Sequence, residues 1–153
     1  MLRIICVALL VLGLALPVYA MAEKRNAAII EVQGTVDIKT PSQDWSPAKA
    51  GMVLNEGDII RTQKDSVAVV NMDGNGETAT VEVKQNSQVK LAELIADKSA
   101  GTESTLLDLA LGDVMIKARK LDSEKSKFEV KTPTSVVGVR GTTFSVSVEA
   151  IEE

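Results

Sequence analysis

The stretch TLLDLALGDVMIKA, residues 105–118, carries apolar side chains at alternate positions on both sides of a glycine. Those positions are Leu107, Leu109, Leu111, Val114 and Ile116. Alternation with a period of two is typical of a β-strand that buries one face and exposes the other. Because the alternation changes phase across Gly112-Asp113, the sequence predicts a turn or a β-bulge at that point.

The same alternation continues on both sides of this stretch. It recurs in AIIEVQGTVDIKT (28–40), TATVEVK (78–84), KFEVKT (127–132) and TFSVSVE (143–149), and in a shorter form in NSQVKLAEL (86–94). Residues 66–72, SVAVVNM, are apolar on both faces, which predicts a central strand covered on both sides. Helical spacing is weak in general, and we expect one helical turn, over residues 92–98. A single domain of about eight short strands is therefore predicted, an all-β sandwich or barrel or an irregular β-solenoid.

The residue types that carry most protein chemistry are scarce in this chain. It has no histidine, and its one cysteine, Cys6, lies in the N-terminal apolar run. Without a histidine, and with no cysteine outside that run, the familiar pairs of a nucleophile and a base cannot form. A Ser–Lys dyad through Ser66 or Ser126 is the remaining enzymatic alternative, and we predict instead a non-catalytic protein without cofactor or metal. The net charge of −4 and the aromatic content of 3% also argue against a nucleic-acid partner.

Residues 1–20 have the three-part pattern of a secretory signal peptide. Arg3 gives a short positive region, an apolar run follows, and small residues mark cleavage sites near residues 20–22. We therefore expect a bacterial protein that is periplasmic or secreted. The alternative is an uncleaved anchor, since the apolar run is about as long as the ~20 residues that span a bilayer. Only in that case do we expect membrane contact.

Two local motifs allow either a binding role or a purely structural one. Asp73, Asn75 and Glu77 alternate as in a calcium loop, but the position of the final acidic ligand is Lys84. The Asp-Gly and Asn-Gly dipeptides among them favour a tight hairpin instead. Trp45 is the one tryptophan, and we expect it to close one end of the core. The alternative is that it is exposed for stacking on a sugar or on a protein partner.

Two stretches of the chain, in the right order, resemble the FecR-domain family. The first signature lies in DWSPAKAGMVLNEGDIIRTQKDSVAVVNM, residues 44–72, and the second in KFEVKTPTSVVGVRGTTFSV, residues 127–146. The residues that match the family's pattern are Trp45, Gly51, Gly57, Asp58, Arg61, Thr62, Thr132, Pro133, Val139, Arg140, Gly141, Thr142 and Phe144. The resemblance covers about residues 28–149 and implies a β-domain like the periplasmic part of the family's ferric citrate regulator.

The resemblance implies a stand-alone exported interaction domain. Three residues precede the apolar run and the sequence stops at Glu153, so we expect neither the sigma-factor-binding segment nor the transporter-contacting region of that regulator. Our first hypothesis is a domain that binds another envelope protein in sensing or assembly, through loops or exposed strand edges. The alternative is a module that binds carbohydrate or peptidoglycan, which requires an exposed Trp45. A hydrolase is disfavoured by the missing histidine and thiol.

Arg140 stands among valines, where a charged side chain is costly to bury unless it is paired. The family pattern offers Asp58, in the first signature, as a partner. We expect Arg140 to reach Asp58 or nearby turn carbonyls and so to join the two halves of the domain. The alternative is an anion- or partner-binding site centred on Arg140, although no basic cluster surrounds it. The matching residues are therefore expected to be structural.

Overall fold

The computed structural model describes residues 22–73, 78–120 and 124–150, and these residues form thirteen strands and no helix. The strands are β1 (Glu23–Lys24), β2 (Ala27–Gln33), β3 (Val36–Thr40), β4 (Gln43–Pro47), β5 (Val53–Leu54), β6 (Ile59–Thr62), β7 (Val67–Asn71), β8 (Ala79–Val83), β9 (Gln88–Asp97), β10 (Thr102–Ala118), β11 (Lys127–Lys131), β12 (Val136–Val139) and β13 (Thr143–Val148). The predicted all-β class is confirmed, with more strands than the eight expected. The number is larger because turns divide the alternating segments; residues 28–40, for example, supply both β2 and β3.

Two predictions fall outside the described residues. The signal peptide over residues 1–20 precedes residue 22, where the description begins. Asn75 and Glu77, which belong to the calcium-loop alternative, lie between residues 73 and 78. The hairpin predicted at the same place connects β7 to β8, and these two strands pair antiparallel. Its tip also lies outside the described residues.

The helical turn expected over residues 92–98 is wrong, because β9 continues through most of this segment. The ladder between β9 and β10 shifts register between Leu106 and Leu107, where β9 carries one extra residue. This bulge leaves Leu91 and Leu94 both buried, at a spacing of three. That spacing imitates one face of a helix, which explains the wrong prediction.

Strand β10 is the centre of one curled, mainly antiparallel sheet. The strand order along the sheet is β4-β3-β6-β9-β10-β8-β7-β2-β5. The first half of β10 pairs with β9 and, in parallel, with β11, to which β12 adds. The second half of β10 pairs with β8 and β13. Both halves of the domain therefore share one strand.

The bend in β10 is built around Gly112, whose φ of 89° is unfavourable for any residue with a side chain. A Cβ added there would lie 2.2 Å from the Ser87 Oγ, so a larger residue also has no room. The Ser87 hydroxyl holds its place because it accepts the Asp113 N–H at 2.9 Å. The ladder to β9 shifts register between Leu109 and Leu111, so a bulge occurs in β10, but it lies just before Gly112-Asp113, where it was predicted.

The curl of the sheet gathers the inward side chains into one core that is almost entirely aliphatic. Its largest fully buried side chains are Phe128, Ile29, Ile38, Leu54, Ile60, Met72, Leu91, Leu94, Leu107, Leu109, Ile116 and Val70. Burying each such side chain contributes about 1.5–3 kcal/mol. Strand β7 is central, between β8 and β2, as predicted. Only its inward face is fully buried, however, and Val67 and Val69 are half-buried on the outer face.

Candidate functional site

The indole ring of Trp45 lies half-buried on the outer face of the sheet and not in the core. In the ladder between β3 and β4, Ser46 lies opposite Ile38, whose side chain is in the core. Because side chains alternate between the two faces of a strand, Trp45 points outward. The expectation that Trp45 closes one end of the core is therefore wrong. Strand β4 has no apolar alternation from which its orientation could have been predicted.

The Trp45 ring is covered by the guanidinium of Arg61, whose Cζ lies 3.9 Å from the ring centroid. A cation in this position contributes about 0.5–2 kcal/mol. The Arg61 Nη2 also lies 3.1 Å from the Asp37 Oδ2, and the Lys39 Nζ lies 5.9 Å from the same ring centroid. The Arg61 Nε is enclosed without a hydrogen-bond partner among the described residues. The cluster connects β3, β4 and β6 on their outer face.

Asp44 completes this surface cluster beside Trp45. Its carboxylate lies 3.4 Å from the Lys39 Nζ. A hydrogen bond from the backbone N–H of Trp45, and after it the Lys39 side chain, hold the pKa of Asp44 below its ordinary value. The carboxylates of Asp37 and Asp44 balance the cations of Lys39 and Arg61. The cluster therefore places hydrogen-bonding groups beside an aromatic ring that is only partly open.

Gly51, Gly57 and Asp58 of the first signature form turns. The Asp58 side chain is 3% exposed, and its Oδ2 accepts the Asn55 N–H at 2.8 Å. Gly57 donates its N–H to the Leu91 carbonyl at 2.7 Å, which holds this turn against β9. Gly51 lies in the turn that leads into β5. These three residues therefore shape the backbone between β4 and β6.

Thr62, which is 3% exposed, points to the opposite face from Arg61 and reaches the bend of the sheet. Its hydroxyl donates to the Lys84 carbonyl and accepts the Ser87 N–H at 3.0 Å. Ser87 is the residue that packs against Gly112. Thr62 therefore satisfies buried backbone groups where the chain passes from β8 to β9.

Thr132 and Pro133 form the tight turn between β11 and β12. The backbone N–H of Thr132 donates to the Ser135 carbonyl at 2.8 Å, and the Thr132 hydroxyl accepts the Ser135 N–H at 3.0 Å. Proline suits the first central position of such a turn because its φ is already fixed. Pro133 is exposed, so the turn presents an apolar ring at the surface.

The remaining uncharged residues of the second signature lead the chain from β12 into β13. Val139 is buried at the end of β12, and Phe144 packs against the core from β13. Gly141 has a φ of 97°, and a Cβ there would lie 2.4 Å from the Lys120 Cα. The carbonyl of Thr142 extends the ladder between β13 and β10. These residues therefore position β13.

Arg140 does not contact Asp58, and the expected pairing is wrong. The Arg140 side chain is exposed after β12, near Lys127 on β11, and no ion pair or hydrogen bond joins it to another residue of the described ranges. Asp58 is buried and bound within its own turn to Asn55. The reason is the alternation along β12: Val139 is 6% exposed, and the next side chain points outward.

A different arginine, Arg25, connects the two ends of the bent strand β10. Its side chain is only 11% exposed. The guanidinium donates to the Ser104 carbonyl at 3.2 Å and to the Thr105 hydroxyl at 2.6 Å, near the start of β10. It also lies 3.5 Å from the Thr78 Oγ1, and the Thr78 carbonyl accepts the N–H of Arg119, just beyond the end of β10.

Sequence reasoning missed Arg25. The residue lies in the polar stretch EKRN, residues 23–26, before the first alternating segment. Charged residues in such a stretch are usually solvated, and no periodicity marks this one as buried. Its burial and its ionic partner, the Glu103 carboxylate at 3.5 Å, arise only from the curl of the sheet.

A groove of about 730 Å³ opens where β11 and β13 both reach the bend of β10. Its lining includes Leu111 from β10, Pro133 from the β11–β12 turn, Val137 from β12, and Val146 and Val148 from β13. These side chains are apolar, and they come from four separate parts of the chain. The groove is therefore a product of the fold and carries no sequence motif of its own.

The groove occupies a gap in the strand ladder. Strand β11 pairs with β10 as far as Asp108, and β13 pairs with β10 from Gly112 onward. Among the described residues, the segment 109–111 therefore has no strand opposite it on this side. Within the same part of the structure, β12 pairs only with β11, and β13 only with β10. Two open strand edges therefore flank the groove.

The serines of the Ser–Lys alternative are buried structural residues. The Ser66 Oγ accepts the Thr35 N–H at 2.8 Å, and the Ser126 Oγ accepts the Glu103 N–H at 3.0 Å. Within residues 22–73, 78–120 and 124–150, no group of three or more potential metal ligands occurs. The same ranges contain no helix that is long and apolar enough to cross a membrane.

A known protein family matches the part of the chain that contains the groove. A family model described as FecR protein matches residues 58–152. No curated protein and no solved structure matches the chain. The matched range contains the groove and the whole of the second signature, whereas Trp45, Gly51 and Gly57 precede it.

Proposed function

Because the chain belongs to the FecR protein family, we propose that it is a regulatory or sensing domain of the bacterial envelope that binds another envelope protein. The family is regulatory and non-enzymatic, and its domain is typically periplasmic. The match confirms the FecR resemblance, and it includes the second signature and the first signature from Asp58 onward. The domain bounds at residues 28 and 149 stay a prediction. Export, protein binding and the partner's location in the envelope belong to the proposal.

The observation that carries the proposal is the open groove beside β13. It lies wholly within the matched residues. Leu111 in its lining is 39% exposed, and Val136, in the strand that borders it, is 59% exposed. Apolar side chains exposed beside unpaired strand edges favour a protein partner, since a protein segment covers the apolar surface and also pairs with the open backbone groups.

The second signature supports the proposal through its structural roles. Thr132 and Pro133 shape the turn that forms one wall of the groove. Gly141 and Phe144 position β13, which forms the opposite wall. The family pattern in this half of the chain therefore maintains the two walls of the groove.

Photocrosslinking in living cells tests this proposal. A photoreactive amino acid in place of Leu111 is expected to give a discrete adduct with an envelope protein. The matched control places it at Ser99, which is exposed in the turn between β9 and β10. The adduct from position 111 is expected to weaken when the exposed Ser135, in the groove lining, is changed to arginine. Equal yields from positions 111 and 99, or no adduct from position 111, would remove the proposal.

A second candidate function, glycan binding, is favoured by the position of Trp45. Part of its ring is open on the outer face, with the Asp44 carboxylate and the Lys39 ammonium beside it. Since the chain has one tryptophan, its emission reports on this ring alone. A saturable change in emission with soluble peptidoglycan fragments, weakened by Asp44→Ala, would support glycan binding. An emission spectrum that does not change would exclude stacking on this ring.

Export through the N-terminal segment is the remaining part of the proposal. The intact mass of the protein from the envelope fraction is expected to correspond to cleavage near residue 20 or 22. A membrane-bound species that retains Met1 would support the anchor alternative instead.

A further inference from the structure

We propose that the partner contributes one extended strand, which adds to the free edge of β13 with apolar side chains in the groove and a basic residue beside Glu149. This inference rests on the proposed function, because it specifies how the same groove is occupied. It follows from the direction of the backbone groups in β13, from the composition of its edge and from the charges beside it.

The hydrogen-bonding direction of β13 is set by one bond at its start. The Ala118 N–H donates to the Thr142 carbonyl at 3.2 Å, and the register of the β10–β13 ladder places these two residues opposite each other. Bonded and non-bonded pairs alternate along an antiparallel ladder. The residues whose backbone bonds to β10 are therefore Phe144, Val146 and Val148. The residues that turn their backbone N–H and C=O groups outward are Thr143, Ser145 and Ser147.

The edge of β13 lacks the features that usually prevent strand addition. Its six residues, TFSVSV, contain no proline and no charge, and its ladder with β10 has no register shift. At one end of the sheet, β4 carries Pro47 and an irregular ladder between Ile38 and Thr40. Prolines, charges and bulges on edge strands block pairing with another chain. Strand β13 is therefore a receptive edge, whereas β4 is protected.

An added strand places alternate side chains on two faces. Those that enter the groove meet Val146, Val148 and Leu111, and apolar side chains fit this surface. Those on the outer face lie beside Ser145 and Ser147, whose side chains are short and exposed. A partner segment that alternates apolar and small polar residues therefore matches both faces.

Charge selects one end of this partner segment. Glu149 is the one ionisable side chain in the described lining of the groove. Asp113 lies opposite Ser147 at the same end of β13, whereas Lys117 lies opposite Thr143 at the other end. Asp113 also has Lys84 opposite it on its other side, so Glu149 is the acidic group that faces the groove at this end of β13. A lysine or arginine of the partner complements Glu149 there.

Binding of two labelled peptides to the full chain, in detergent where its N-terminal segment is retained, tests the inference by fluorescence anisotropy. Each peptide has about ten residues, the length of a long strand, in which valine alternates with threonine. One ends in two lysines and the other in two glutamates. The lysine peptide is expected to bind about threefold more tightly, as for an exposed ion pair. The change Glu149→Lys is expected to reverse that preference.

The change Ser147→Pro removes an outward N–H and leaves the bonds between β13 and β10 in place. It is expected to weaken binding of the lysine peptide about tenfold, as the loss of a backbone hydrogen bond and a steric clash require. The matched control Ser147→Ala keeps the N–H and is expected to bind like the unchanged protein. If Ser147→Pro does not fold, hydrogen exchange of the unchanged protein decides: the peptide is expected to slow exchange of the Ser145 and Ser147 amides.

Several outcomes would overturn the inference. Equal peptide binding by Ser147→Pro and Ser147→Ala, or unaltered exchange at Ser145 and Ser147, would show that β13 accepts no strand. A dimer of the protein alone that Ser147→Pro dissociates would make a second copy the occupant of this edge. An adduct from position 111 without peptide binding would leave the proposed function standing and remove only the strand addition. Peptide binding without any adduct from position 111 would leave the strand addition standing and remove the proposed function.

Discussion

Arg25 and Arg140 show how differently one residue type is used at two places in this domain. Arg25 lies in a polar stretch of sequence, yet its side chain is 11% exposed and donates to groups near the start of β10. Arg140 follows the apolar run VVGV, yet its side chain is exposed. The polarity of the flanking residues therefore does not decide whether either arginine is buried. The strand register and the curl of the sheet decide it.

The two arginines also mark two regions with different tasks. Around Arg25, the ends of β10 are held together by a buried cation and the backbone groups that it satisfies. Near Arg140, the edges of β12 and β13 are left open beside an apolar groove. One region closes the sheet, and we propose that the other receives a partner.

The same substitution at both arginines gives the largest expected difference. Arg25→Ala leaves the Ile95 and Ser104 carbonyls and the Thr105 hydroxyl without their donor. At about 1–3 kcal/mol for each unsatisfied buried group, a loss of roughly 3–5 kcal/mol of unfolding free energy is expected. A urea melt measures this loss, with Arg140→Ala as the matched control. Arg25→Lys keeps the charge but lacks the planar guanidinium, and its unfolding free energy is expected to lie between those of Arg25→Ala and Arg140→Ala. An Arg25→Ala protein as stable as the Arg140→Ala protein would contradict the comparison.

A second prediction concerns the bend that brings the ends of β10 to Arg25. Gly112→Ala is expected to cost roughly 2–4 kcal/mol, because it forces a side chain into a left-handed backbone and against Ser87. Gly138 is the control, since a Cβ there meets nothing within 4 Å. Thermal or urea melts of the two alanine variants check this prediction. An equal loss of unfolding free energy in Gly112→Ala and Gly138→Ala would mean that the bend tolerates a side chain.

The outer-face cluster is expected to contribute less. Arg61→Ala and Trp45→Ala are each expected to cost about 1–2 kcal/mol, and the double-mutant cycle should show a coupling of about 0.5–1 kcal/mol. Lys39→Ala serves as the control, because its ammonium lies 5.9 Å from the ring centroid against 3.9 Å for the Arg61 Cζ. Strict additivity of the Arg61 and Trp45 changes would show that the stack contributes nothing.

The smallest effect is expected at Arg140. Arg140→Ala should change the unfolding free energy by no more than about 0.5 kcal/mol, as for an exposed side chain. Asp58→Ala removes a buried acceptor of the Asn55 N–H and should cost about 1–2 kcal/mol on its own. The two changes should add, since the side chains do not touch. A coupling well above about 0.5 kcal/mol would restore the contact between the two signatures.

The parts of the fold that could be predicted from the sequence are those governed by local rules. Alternation predicted the strands and the aliphatic core, because it is visible within a few adjacent residues. The phase change at Gly112-Asp113 predicted a bulge close to the register shift between Leu109 and Leu111. The prediction failed at residues 92–98 because a bulge in β9 gives Leu91 and Leu94 a helical spacing.

The candidate site could not be predicted in the same way. Its groove depends on where β11 stops and where β13 starts along β10, which is a matter of register between distant segments. The outward position of Trp45 likewise depends on its pairing with β3. The family resemblance identified residues of both regions, but it did not reveal that they build turns and walls around a surface formed by other residues.

The length of β10 has a consequence for how the domain loses its structure. Strand β10 has seventeen residues and pairs with β8, β9, β11 and β13, so both halves of the sheet depend on this one strand. If either half of the sheet opens, it exposes backbone N–H and C=O groups of β10, the strand with which the other half also pairs. Amide exchange is therefore expected to show a single cooperative unit around β10, with separate, lower-energy openings confined to the short peripheral strands β1, β4, β5 and β12.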